Sequence, residues 1–206
     1  MAVKSNFKNM VLCLFAICLV CSSLLAGVYA LTKAPIEAAA IKKTNDAIAQ
    51  VVPSFETVSE EKTVQFEGKS YSYYEVSSEN QVIAYAITVA SNGFGGPIKV
   101  MVGITADGII YNSSVLSHSE TPGLGAKCTE SAFLDQFKGF NPVEKQLIVK
   151  KDGGDVDAIT ASTITSRAFS AALSLAVNVQ KAIVAEGTSE VEPEAEAEVE
   201  SDKVEE

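Results

Sequence analysis

The stretch PIKVMVGITADGIIYNSSVLS, residues 97–117, decides the fold class. Two β-rich runs, PIKVMVGIT and IIYNSSVLS, stand on either side of Ala106-Asp107-Gly108. Asp-Gly between alternating apolar runs is a strong short-range hairpin signal, because both residues tolerate the positive φ of a tight turn. Strands joined that tightly run antiparallel. Upstream, KSYSYYEVSS (69–78) and QVIAYAITVAS (81–91) repeat the pattern across Glu79-Asn80 and predict a second hairpin. Downstream, from Thr165 onward, Ala168, Leu173, Leu175, Val179, Ala182 and Ile183 form a broad apolar stripe, which predicts a helix ending before Gly187. Antiparallel strands flanked by helices make an α+β domain.

The two ends of the 206-residue chain differ in kind from this middle. From Met10 to Leu31 the sequence is almost wholly apolar, and no charge falls between Lys8 and Lys33. As a helix that run rises roughly 33 Å, enough for one membrane span. Lys4 and Lys8 precede it, so the positive-inside tendency places the N-terminus in the cytoplasm and the rest outside. A cleaved signal peptide, processed near Val28-Tyr29-Ala30, is the alternative, although the run exceeds a usual signal core. Cys18 and Cys21 read as small apolar residues of that helix.

Beyond the span, Ile36, Ala40, Ala47, Ile48 and Val51 keep near-helical spacing before Pro53. The expected organisation is a cytoplasmic N-terminus (1–9), a transmembrane anchor (10–31), a stalk helix (32–55), an extracytoplasmic domain (56–187) and an acidic tail (188–206). From Glu186 to Glu206 there are ten acidic residues and one Lys, a charge of −9 out of the chain's −10. The acidity therefore belongs to the tail, whose composition predicts disorder.

Several chemistries are hard to assemble here. The domain has one cysteine, Cys128, and the chain one histidine, His118, so a catalytic triad, a domain disulfide or a histidine-built zinc site lacks its parts. No basic, aromatic-interleaved patch suggests nucleic acid. What remains are three unusual loops: SNGFGGPI (91–98), SHSETPGLGAK (117–127) and DAITASTITSRAF (157–169). The last puts five hydroxyls, on Thr160, Ser162, Thr163, Thr165 and Ser166, ahead of the amphipathic helix. A cap needs only one. A helix N-terminus offers unpaired N–H donors and a positive dipole end, and so holds a phosphate without a basic side chain. A helix cap with spare polar residues is the plainer alternative.

These loops resemble the FMN-binding domain found in the G subunit of the Rnf electron transport complex and in the related C subunit of the sodium-pumping NADH:quinone reductase. The family's attachment motif is Asp, two residues, Ser or Thr, Gly, Ala, Thr, any residue, Thr. Here it stands as DAITASTIT, residues 157–165, with Thr160 for the usual Ser, Ala161 for Gly and Ser162 for Ala. Ala161 implies a backbone conformation open to a residue with a Cβ. GFGGPIKVMVGITADGIIYNSSVLSHSETPGLG, residues 93–125, is similar to the second signature, whose ETPGLG turn lies near the flavin.

The resemblance implies FMN joined through its phosphate to Thr165, with Thr163, Ser162, Thr160 and Asp157 around the attachment point. It implies Glu120, Thr121, Gly123, Leu124, Gly125 and Lys127 on the flavin side: Leu124 and aromatic neighbours over the isoalloxazine, and Glu120, Thr121 and Lys127, with His118 as a further candidate, at its polar edge. The implied function is a covalent-FMN electron carrier without a complete reaction of its own. It would sit in the cytoplasmic membrane within a complex that passes electrons between ferredoxin and NAD and translocates sodium or protons. Its partners would be the other integral membrane subunits and a flavin transferase for maturation. A stand-alone membrane-anchored flavin-binding module and a component of a flavin-dependent extracytoplasmic reductase are the alternatives.

Overall fold

A computed structural model describes residues 7–79 and 81–189 and divides the chain into two compact units, residues 1–45 and 46–206. Residues 1–6 of the expected N-terminal segment (1–9), Asn80 of the expected Glu79-Asn80 turn, and residues 190–206 of the expected acidic tail (188–206) lie outside the described residues.

The first unit is helical throughout its described part, within α1 (Phe7–Val51). Leu12, Phe15, Leu24, Leu25 and Leu31 are all exposed, and the helix is long and apolar enough to cross a membrane. Ser23 Oγ and Thr32 Oγ1 donate to the carbonyls of Leu19 and Val28, each at 2.8 Å, so neither hydroxyl needs water. The helix passes through the expected anchor–stalk boundary at residue 31 and includes Pro35, whose missing N–H leaves one carbonyl of the preceding turn unpaired.

The second unit is built on an antiparallel sheet of β1 (Thr57–Val58), β2 (Lys62–Phe66), β3 (Lys69–Ser78), β4 (Gln81–Asn92), β5 (Pro97–Thr105) and β6 (Ile110–Ser117). The order is β1-β3-β4-β5-β6, with β2 also paired to β3. β1 faces Val76 and Ser77 while β2 faces residues 69–73, so the two short strands lie end to end along one edge. Glu67 and Gly68, both at positive φ, make the two-residue turn between β2 and β3. The expected Asp-Gly turn closes β5 onto β6, with Gly108 at φ 82° donating to Thr105 O at 2.9 Å.

Alternation along β5 assigns its two faces. Val100, Val102 and Ile104 join Ile87, Val89 and Ile110 against Phe169, Ala172, Leu173 and Ala176 of α3 (Thr163–Ser189). Met101 faces the other way, with Val76, Ala84 and Ala86, against Ala47, Ile48, Val51 and Val52. Gly103 is required there, because a Cβ would run into the carbonyl of Val51. Helical segments thus cover both faces of the sheet, as the α+β reading expects. α3 departs from the sequence reading at both ends: it starts at Thr163, inside the hydroxyl cluster, and continues past Gly187 to Ser189. A lone glycine costs a helix only about 1 kcal/mol, too little to stop one.

Between β6 and α3 the chain is mostly irregular, with α2 (Ser131–Leu134) and three short 3-10 turns. Aromatic packing holds it. Phe133 and Phe137 meet edge to face at 5.3 Å, and each lies 5.2 Å from Phe169 of α3. This connection brings the ETPGLG turn, the 3-10 turn Lys150–Asp152 and the start of α3 to one end of the domain.

Candidate functional site

The hydroxyl cluster resolves into distinct tasks. Ser162 O accepts the first helical bond, from Ser166 N at 3.0 Å, which makes Ser162 the N-cap and Thr163, Ile164 and Thr165 the first turn. The N–H groups of those three have no acceptor inside the helix. Ser166 is structural: its Oγ donates to Ser162 O at 3.0 Å and accepts from Ile159 N at 2.9 Å, tying the incoming loop to the helix. Thr160 is exposed. Ala161 holds φ 61°, so the position where the motif has glycine is left-handed here too, despite the Cβ. That differs from the expected conformation open to a residue with a Cβ, because the left-handed region favours glycine.

Thr165 is 1% exposed, and its Oγ1 donates to Glu120 Oε2 at 2.8 Å. Glu120, 5% exposed, accepts from Gly95 N at 3.1 Å through its other oxygen. A buried carboxylate persists only when such donors replace water. Side chains at Gly93 or Gly125 would occupy the space of the Glu120 carboxylate, so these two glycines let both loops close around it. His118 Nδ1 accepts from Glu120 N at 3.2 Å, a structural use of the single histidine. Burial, and then the Glu120 carboxylate, push the neighbouring Cys128 thiol up to about 11.

A cavity of about 410 Å³ opens beside this pair. Its volume lies within the roughly 300–1,000 Å³ of small-molecule sites. Glu120, Thr121, Leu124, Gly125, Ser162, Thr163 and Thr165, all expected from sequence, line it. Phe94, Ala161 and Ile164 line it too. Phe94 is 71% exposed, Ile164 50% and Leu124 45%, so three large apolar side chains stand at the surface around a polar floor. That pairing suits a flat aromatic ligand with a polar tail.

Four expected residues do not line the cavity. Gly123 sits at φ 76° in the turn that Leu124 N closes on Thr121 O, so its contribution is backbone shape. Lys127 and Thr160 point into solvent. Asp157 is exposed, pairs with Lys150 at 2.7 Å, and exchanges backbone bonds with the Gln136 side chain, at 2.7 and 3.2 Å. It braces the loop.

Comparison with known proteins gives the family. Residues 93–178 match the FMN-binding domain, a span running from the first glycine of the loop after β4 to the middle of α3. Residues 1–51 match the RnfG N-terminal region. The G subunit of the proton-translocating ferredoxin:NAD(+) oxidoreductase complex of Clostridium ljungdahlii is 32% identical over 163 residues, 78% of this chain and 84% of the relative. The G subunit of the ion-translocating oxidoreductase complex of Shewanella piezotolerans is 34% identical over 212 residues, covering 93% and 99%. The chain belongs to the RnfG family. A solved structure of the C subunit of the Na(+)-translocating NADH-quinone reductase from Parabacteroides distasonis is similar over 54% of this chain and 62% of that one, at 27% identity and a TM-score of 0.43.

In this RnfG family member, sequence reasoning missed Lys151, whose Nζ donates to Thr163 Oγ1 at 3.3 Å. It brings a cation to the start of α3. The neighbouring Asp152 makes a bidentate pair with Arg167, at 2.6 and 2.7 Å, which fixes the 3-10 turn against the helix. The guanidinium holds the Asp152 carboxyl below its ordinary range. No local pattern marks Lys151 as special, because it reaches the site only through tertiary folding. Phe94 was not singled out either, although it is the one aromatic among the three glycines of its loop.

Proposed function

We propose that this chain is the FMN-bearing component of a membrane-bound, ion-translocating ferredoxin:NAD oxidoreductase, with FMN esterified through its phosphate to Thr165. The observation that carries this reading is the Thr165 hydroxyl itself: it lies in the first turn of α3, lines a cavity rimmed by exposed apolar side chains, and already bonds a buried carboxylate. The residues present fit FMN. The first-turn N–H groups and the Lys151 ammonium would hold the phosphate. Phe94, Leu124 and Ile164 would flank the isoalloxazine, and Thr121 would meet its polar edge. Bound FMN supplies one- and two-electron transfer. The protein's own share is attachment, placement and exclusion of water.

A permanent ester suits the location this reading assigns. The apolar span of α1 anchors the chain, and Lys4 and Lys8 before it favour a cytoplasmic N-terminus, which puts the domain outside, where a dissociated cofactor would be lost. The other membrane subunits of the complex and a flavin transferase are the partners. The test is flavin fluorescence of the denatured chain on a gel after expression beside a flavin transferase. Wild type should fluoresce and Thr165→Ala should not. A fluorescent Thr165→Ala band would move the acceptor elsewhere, and a dark wild-type band would end the covalent reading.

A further inference from the structure

We infer that Glu120 is the general base that removes the Thr165 proton when the ester forms, and that it thereby selects Thr165 over Thr163 as the acceptor. The inference rests on the proposed attachment at Thr165. A threonine hydroxyl is a weak nucleophile until a base within hydrogen-bond reach takes its proton. Thr165 Oγ1 already donates to Glu120 Oε2 at 2.8 Å, with 1% and 5% of the two residues exposed, so water does not compete for either group. The Gly95 N–H fixes the other carboxylate oxygen at 3.1 Å and the steric fit at Gly93 and Gly125 fixes the plane, so the base is held in place beforehand.

The neighbouring groups are otherwise engaged. Asp157, the acid of the motif, is exposed and paired with Lys150. His118 spends Nδ1 on the Glu120 backbone N–H. Thr163 Oγ1 faces the Lys151 ammonium at 3.3 Å. A cation donating to that oxygen holds its lone pairs and lowers its nucleophilicity, while the carboxylate beside Thr165 does the opposite. Two threonines in one cavity are therefore made chemically unequal by their neighbours.

In the step itself, Thr165 Oγ1 forms a bond to the FMN phosphorus while its O–H bond breaks and the proton passes to Glu120 Oε2. The flavin donor must be a phosphoanhydride of FMN, the class of a flavin dinucleotide, because a free phosphomonoester would have to expel hydroxide. The anhydride P–O bond breaks and its electron pair leaves on the second nucleotide's phosphate. No electron is exchanged with an oxidant, and Glu120 returns its proton to solvent.

The experiment uses the full-length apo-protein in detergent with a flavin dinucleotide and a flavin transferase, both saturating, and follows adduct formation by intact mass. Glu120→Gln should lower the limiting rate at least about a hundredfold, the usual scale of general-base removal. Glu120→Ala should be equally slow and should speed up in proportion to added formate, a small carboxylate that fits the space left by the side chain. Thermal unfolding of each apo variant checks that it is folded. Wild-type rates in Glu120→Gln would overturn the inference. So would a folded Glu120→Ala that formate does not rescue, since that result makes Glu120 a structural group. Absence of any adduct on wild type, while the same transferase labels another acceptor protein, would instead remove the attachment reading and the base with it.

Discussion

Replacing Thr165 should cost stability even when no flavin is present. In the apo-protein its hydroxyl is one of two donors to a carboxylate only 5% exposed. A hydrogen bond to a charged group contributes about 1.5–3 kcal/mol, and a buried methyl about 0.8 kcal/mol. Thr165→Ala removes both, about 3 kcal/mol together. Thr165→Ser keeps the hydroxyl and should lose about 1 kcal/mol. For a unit of this size 1 kcal/mol moves the melting temperature by about 2–4 °C, so the alanine variant should melt about 6–12 °C below wild type and still fold. The assay is thermal or urea unfolding of apo-protein made without a flavin transferase. A double-mutant cycle with Glu120→Ala, which removes the acceptor altogether, isolates the pair and should return a coupling of about 2 kcal/mol. Equal losses in Thr165→Ser and Thr165→Ala, with zero coupling, would refute the claim that this hydroxyl satisfies Glu120.

Ala161→Gly should leave the apo-protein unchanged or stabilise it by up to about 1 kcal/mol, because relief of the left-handed Cβ clash outweighs the added chain entropy; a clear loss in urea unfolding would show that the methyl packs. Asp152→Asn should narrow the stability difference between neutral and acid pH. The Asp152 carboxyl is depressed by Arg167, so its contribution is present above the unfolded-state value and lost as pH falls through the folded one; melting curves of both proteins should converge in acid, and a constant gap would contradict the pairing. Cys128, with its thiol pushed up to about 11, should resist alkylation at pH 8 in the native protein and react once it is unfolded, as read from the mass of its peptide.

The sheet was legible where side-chain patterning and turn chemistry agreed. β3 and β5 begin and end where the β-rich runs do, and Asp107-Gly108 closes the next hairpin as expected. β1 and β2 were not legible: Lys62–Phe66 buries only Val64, so an edge strand of that kind leaves almost no alternation to detect. The connection from β6 to α3 is held by Phe133, Phe137 and Phe140, whose i, i+4, i+7 spacing looks helical although the chain there forms only α2 and a short 3-10 turn, with Phe133 and Phe137 packed on Phe169 and Phe140 on Phe137.

The site followed the same division. Glu120, Thr121, Leu124, Gly125, Ser162, Thr163 and Thr165 converge as their two motifs suggest, since each motif is a local turn that carries its own geometry. The pairing of Thr165 with Glu120 was invisible, being a contact across 45 residues that only the packing of α3 creates. Asp157, expected around the attachment point, lies outside the cavity lining and is bonded through its backbone to Gln136. The left-handed turn at Ala161 had a sequence signal, because the glycine that usually stands there is the residue suited to positive φ.

A tandem mass spectrum of the peptide spanning residues 157–167, from the 206-residue chain made beside a flavin transferase, decides whether and where the flavin is attached. The peptide should carry a mass increase of one FMN less water, with the fragment series placing it on Thr165. A peptide of unmodified mass, or a fragment series that places the increase on Thr160, Ser162, Thr163 or Ser166, would contradict it.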